Sequence, residues 1–150
     1  MRVLVDTNVL LRSAQPSHTL CSQATQSVAR LLSQNESVFF CAQNMAEFWN
    51  VATRPGEKNG LGMSSEEALA EIGNIEDMLT LLPDIPGIYP EWKRIVAEYG
   101  VQGVKVYDAR LVAVMRIYAV DMILTFNADD FKRYGKISAI SPSSITERPR

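Results

Sequence analysis

The sequence predicts an α/β protein, a three-layer α/β/α sandwich with a mostly parallel central sheet. Three observations predict it. Short apolar runs recur at residues 2–5, 37–41 and 122–125, stretches with apolar residues at helical spacing lie between them, and polar, often acidic residues follow the first and last runs.

Residues 2–5 stop abruptly at Asp6-Thr7-Asn8, as a buried parallel strand does before a helix-capping turn. Leu20, Ala24, Val28, Leu31 and Leu32 then recur at helical spacing, and Ser37-Val38-Phe39-Phe40-Cys41 reads as a second strand. A helix over 43–53 follows, closed by Arg54-Pro55-Gly56 because proline biases its predecessor away from helical geometry, and 54–63 is a glycine-containing loop. Ser64-Ser65-Glu66-Glu67 places a hydroxyl three residues before a glutamate, a capping box, and Leu69, Ile72, Ile75 and Leu79 extend a helix over 65–79. Thr80-Leu81-Leu82 is a candidate short strand. Pro90 opens a helix with the stripe Trp92, Ile95, Val96 and Tyr99, ended by Gly100 and Gly103. Residues 107–119 are apolar nearly all round, as in a helix buried between layers, and Met122-Ile123-Leu124-Thr125 is a strand ending at Phe126-Asn127. Residues 1–140 read as one domain, and 141–150, with two prolines and terminal charge, as a loosely held tail.

At 150 residues and 47% hydrophobic, the chain can bury the core of one domain. The 15 Lys+Arg against 17 Asp+Glu leave a formal net charge of −2, so a polyanion would have to meet a local basic patch. No apolar stretch reaches bilayer length and residues 1–6 lack a signal-peptide core, so the expectation is a cytoplasmic protein without a membrane partner. Cys21 and Cys41 have no zinc spacing and read as buried thiols, and the single His18 lies outside any periodic run. Any chemistry therefore falls to carboxylates.

Asp6 ends the first strand, Asp108 opens the buried helix, and Asn127, Asp129 and Asp130 follow the last strand. A parallel sheet gathers such positions on one edge. Glu47 belongs to the helical polar stripe Gln43, Glu47, Asn50 and Arg54, and that stripe can point into the same crevice. Taken singly, Asp6 and Asp130 also read as helix caps and Glu47 as a solvated residue, whereas Asp108 faces Leu111, Val112 and Met115 and calls for a cation. Converging carboxylates repel one another, and a divalent ion relieves the repulsion. An all-oxygen donor set suits Mg²⁺ or Mn²⁺, as one or two ions, and such ions suit phosphodiester hydrolysis because they activate water and take a phosphate as ligand.

Four segments carry a family resemblance: Val3-Leu4-Val5-Asp6-Thr7-Asn8, Glu47-Phe48-Trp49-Asn50-Val51, Tyr107-Asp108-Ala109-Arg110-Leu111-Val112-Ala113 and Leu124-Thr125-Phe126-Asn127-Ala128-Asp129-Asp130-Phe131. In order and spacing, over nearly the whole chain, they resemble the PIN-domain family, including its VapC-type toxins. The resemblance implies an acidic quartet that binds Mg²⁺ or Mn²⁺ and cleaves RNA, with Asp6, Glu47 and Asp108 as metal-site residues and Thr7 or Asn8 in support. Many relatives carry Asp where this chain has Asn127, and an acid just before the phenylalanine, here Asp130; the fourth position is assigned to Asp130 with Asn127 assisting, and Asp129 to solvent. The resemblance also implies a homodimer and, for the toxin branch, a small antitoxin obstructing the cleft.

Arg12, Arg54, Lys105, Arg110, Lys132 and Arg133 are candidates for tracking an RNA backbone, with Arg12, Arg54 and Arg110 foremost, while Trp49 and Trp92 sit on apolar stripes and belong to the core. Asp6-Thr7-Asn8 lacks the DxD of haloacid-dehalogenase-like phosphatases and the acidic pair of receiver domains, and neither GxGxxG nor GxxxxGK[ST] occurs. The reading is a metal-dependent endoribonuclease leaving 5′-phosphate and 3′-hydroxyl ends. The alternative is a non-catalytic module of the same fold that binds RNA or protein.

Overall fold

The computed structural model describes residues 1–149. Five strands form one parallel sheet: β1 (Arg2–Val5), β2 (Ser37–Cys41), β3 (Thr80–Leu82), β4 (Met122–Leu124) and β5 (Ser138–Ile140), in the order β3-β2-β1-β4-β5. Among the described residues seven α-helices connect and flank them: α1 (Thr7–Ser13), α2 (Cys21–Ser33), α3 (Ala42–Thr53), α4 (Ser65–Met78), α5 (Ile88–Tyr99), α6 (Lys105–Ile117) and α7 (Pro142–Thr146). None of the helices is long and apolar enough to cross a membrane, among the described residues.

The side-chain alternation of the strands makes the three layers. Val3, Val5, Val38, Phe40, Leu124 and Ile140 point to one face, where they pack with Val9, Val28, Leu31, Phe48, Ile75 and Ile145 from α1, α2, α3, α4 and α7. Leu4, Phe39, Cys41, Leu82 and Ile123 point to the other, against Ile88 and Ile95 of α5 and Leu111, Val112 and Met115 of α6. Both faces of the sheet are thus covered, which is why its central strands read as continuous apolar runs. Full burial of each large aliphatic contributes roughly 1.5–3 kcal/mol.

Helix ends follow local chemistry. Asp6 caps α1, and Ser64 caps α4 through the capping box with Glu67. Gly100 ends α5 in the left-handed region, at φ 59°, where a side chain would be strained. The long apolar helix begins two residues before its expected start and ends at Ile117 rather than Ala119, because Ala119 is left-handed at φ 54° and cannot continue it. After α3 the chain folds back, so that the Leu61, Gly62 and Met63 amides donate to the Val51, Arg54 and Ala52 carbonyls.

Two features depart from the sequence expectation. Residues 138–140 form an edge strand, β5, paired with β4 in parallel register. The segment after Ser141, expected to be loosely held, instead forms α7, capped by the Ser141 hydroxyl with Pro142 in its first turn. Ile145 is buried, and Arg30 of α2 donates from Nη1 to the Ile145 and Thr146 carbonyls, both at 2.8 Å. That contact satisfies the Thr146 carbonyl at the end of the short helix and adds a side-chain donor to the Ile145 carbonyl, which the Arg148 amide also reaches.

Candidate functional site

The chain runs β1, β2, β3 toward one edge of the sheet and then returns to place β4 on the other side of β1. The carboxyl ends of β1 and β4 therefore flank the topological switch point of an open α/β sheet, where the ligand crevice of such folds lies. Residues from the ends of β1 and β4 and from α3 and α6 meet there.

Asp6 follows β1 and is nearly buried, at 8% exposure. Its Oδ1 accepts the Thr7 amide at 2.7 Å, the helix-cap bond, and its Oδ2 accepts the Thr125 hydroxyl at 2.8 Å from the end of β4. Each oxygen thus keeps a further lone pair for a cation. Glu47, on α3, accepts the Thr7 hydroxyl on Oε1 at 2.8 Å and the Gln43 amide on Oε2 at 3.4 Å. Behind it, buried Asn44 donates to the Thr7 hydroxyl at 3.1 Å and accepts the Cys41 amide at 2.9 Å, so the end of β2 is tied through α3 to α1.

Asp108 lies in the first turn of α6, and Asp130 in the 3-10 turn Ala128–Phe131 that follows β4. The Lys105 ammonium sits with both, 3.1 Å from Asp130 Oδ1 and 4.0 Å from Asp108 Oδ2. Burial pushes the Asp6 carboxyl up from 3.8 to about 6; bonds from Thr125 and Thr7 oppose this, and the Asp108 and Glu47 charges add to it. Asp108 is also raised, first by burial, against the pull of Lys105 and with repulsion from Asp130 and Glu47. Asp6, Glu47 and Asp108 thus share one electrostatic environment, and Asp130 joins it through Asp108. Among the described residues no three of these acids are close enough to grip one ion as they stand.

The oxygen-only chemistry of this set, its half-buried setting and a lysine ammonium already seated on two of the carboxylates fit a hard divalent cation. The supporting residues are also in place: the Asn8 amide donates to the Thr125 hydroxyl and accepts the Phe126 amide, both at 3.2 Å. Asn127 is exposed, and its backbone amide, not its side chain, is bound, at 3.0 Å to the Thr125 hydroxyl. Asp129 is exposed and paired with Lys132 at 2.6 Å.

Of the three arginines singled out for substrate, Arg110 reaches the site: it donates to Gln43 at 3.2 Å and pairs with Asp84 at 3.1 Å. Arg12 bonds Gln15 on its own side of α1, and Arg54 lies two turns beyond Glu47; neither pairs with the acids among the described residues. Sequence reasoning missed Thr125, Asn44 and the bridging role of Gln43. Thr125 is fully buried, and a buried hydroxyl beside a strand end is the signal that marks it, though only the fold reveals the burial.

The PIN-domain sequence profile matches residues 3–137. Among curated proteins none matches the chain. Solved structures similar in fold include DNA-bound VapBC from Salmonella typhimurium, with TM-score 0.69 and 15% identity, covering 95% of this chain and 98% of that one. VapBC2 from Rickettsia felis bound to a promoter DNA fragment has TM-score 0.68 at 14% identity, covering 94% and 98%. VapC20 of Mycobacterium tuberculosis, a toxin that cleaves the sarcin-ricin loop, has TM-score 0.64 at 15% identity, covering 85% and 92%. The structural neighbours thus include VapC toxins of VapBC toxin-antitoxin systems, and by its sequence profile this chain belongs to the PIN-domain family.

Proposed function

We propose that the chain is a metal-dependent endoribonuclease, the toxin of a toxin-antitoxin pair acting in the cytoplasm as a homodimer. The observation that carries the reading is the convergence of Asp6, Glu47 and Asp108, from three separate elements, on the crevice between β1 and β4, with the Asp6 and Asp108 carboxyls both raised. The fold neighbours support the toxin reading, and the sarcin-ricin-loop activity of one of them supports RNA as substrate.

Asp6, Glu47, Asp108 and Asp130 would hold Mg²⁺ or Mn²⁺, as one or two ions, with the Asn127 side chain free to assist. When bound, such an ion activates water and stabilises charge on the phosphate. The chain's own part is to prepare that arrangement. The Thr7 amide and Thr125 hydroxyl fix the Asp6 carboxylate plane, and the Thr7 hydroxyl and Gln43 fix Glu47, so these two carboxylates are oriented before an ion arrives. Arg110, steadied by Asp84 and Gln43, brings positive charge to the same rim for an RNA phosphate. In the reaction the water oxygen bonds to phosphorus, the bond from phosphorus to the 3′ oxygen breaks, and that oxygen takes a proton, giving 5′-phosphate and 3′-hydroxyl ends.

Cleavage of a mixed RNA pool tests this. Cutting with Mg²⁺ or Mn²⁺ that stops with EDTA, and in Asp6→Asn and Asp108→Asn, is the expected result. Binding of RNA without cutting under all conditions would favour the non-catalytic module instead.

A further inference from the structure

Lys105 occupies an electrostatically odd position. It is the first residue of α6, where the helix dipole disfavours a cation, yet its ammonium lies 3.1 Å from Asp130 and 4.0 Å from Asp108. The other rim cations have different partners: Arg110 is engaged by Asp84 and Gln43, and Lys132 by Asp129. Lys105 alone among them pairs with two members of the acidic set.

We propose that Lys105 is the resident counter-ion of the acidic rim, which a divalent ion must displace in order to load. The inference rests on the reading of these acids as a divalent-ion site. In the ion-free chain one flexible stem joins the start of α6 to the turn after β4, holding Asp108 and Asp130 together against their repulsion. A divalent ion taking the same oxygens meets a like charge at contact distance, so Lys105 raises the ion concentration at which the site fills. The lysine thereby sets a loading threshold.

Calorimetric Mn²⁺ titration of the wild type, Lys105→Met and Lys105→Arg, with thermal unfolding of each in EDTA, tests this. The Lys105 side chain is 47% exposed, so methionine keeps the stem without opening the core. Lys105→Met is expected to bind Mn²⁺ on the order of tenfold more tightly than the wild type. It is also expected to melt at a lower temperature in EDTA, while Lys105→Arg follows the wild type in both. Equal or weaker Mn²⁺ binding by Lys105→Met overturns the role of Lys105 while leaving the divalent-ion site standing. Absence of Mn²⁺ binding in all three proteins overturns the site itself and this role with it.

Discussion

The Thr125 hydroxyl donates a 2.8 Å hydrogen bond to Asp6 Oδ2, joining the ends of β4 and β1 across the crevice. The Thr125 hydroxyl oxygen in turn accepts the Asn8 side-chain amide and the Asn127 backbone amide. One buried hydroxyl thus fixes the carboxylate, the first turn of α1 and the loop that leads to Asp130.

Thr125→Val keeps the side-chain shape and removes all three bonds. Unsatisfied buried partners cost about 1–3 kcal/mol, so urea unfolding is expected to show a loss in that range. RNA cleavage is expected to fall more than tenfold, while Thr125→Ser retains most of both.

The pH dependence of the EDTA-treated protein follows from Asp6. Its folded-state value is about 6, against 3.8 for the free side chain. Between those values the folded chain keeps a proton that the unfolded chain has lost, so rising pH favours unfolding. The stability carried by the protonated carboxyl is present below about 4 and is lost by pH 6 to 7, in all roughly 3 kcal/mol. Asp108, raised as well, acts in the same direction. Denaturant melts from pH 4.5 to 7.5, in steps of about half a unit, are expected to show this fall, a shallower one in Asp6→Asn, and recovery at the upper end on adding Mn²⁺.

Two glycines are expected to respond oppositely to alanine. A Cβ at Gly60 would lie 1.9 Å from the Arg54 carbonyl oxygen, so Gly60→Ala forces the 54–63 loop away from the end of α3. A loss above about 2 kcal/mol is expected. Gly73, inside α4, has open space at its Cβ, and Gly73→Ala is expected to stabilise by roughly 0.5–1 kcal/mol. Thermal unfolding of the pair measures both.

Arg30→Met removes the only side-chain donor on the Ile145 and Thr146 carbonyls, among the described residues. Limited proteolysis is expected to clip the chain after Ser141 several-fold faster, with the remaining sheet intact.

Much of this architecture was legible in the residues because buried strands and amphipathic helices write their periods plainly. Ser37–Cys41 and Thr80–Leu82 form strands over the expected residues, and the Ser64–Glu67 capping box starts α4 where expected. β5 was not legible, since three residues at a sheet edge carry too short a pattern and take their order from β4. α7 was hidden for another reason: Ser141 and Pro142 are sound helix-start residues, but the prolines and charges of the tail suggested looseness, and only the docking of Ile145 and the Arg30 contact outweigh it. At the site, the placement of Asp6, Glu47 and Asp108 on one edge followed from strand ends and helical phase. Thr125 looked like the last residue of a strand, and the pairing of Lys105 with Asp130 links residues from separate connections, which periodicity does not relate.

The most direct measurement of the central claim is a calorimetric Mn²⁺ titration of the wild type beside Asp6→Asn, Glu47→Gln and Asp108→Asn, each shown to be folded by circular dichroism. Saturable binding by the wild type, weakened at least tenfold in every variant, is the result expected if these carboxylates share one divalent ion. Wild-type binding that all three variants reproduce, or none at millimolar Mn²⁺, would contradict it.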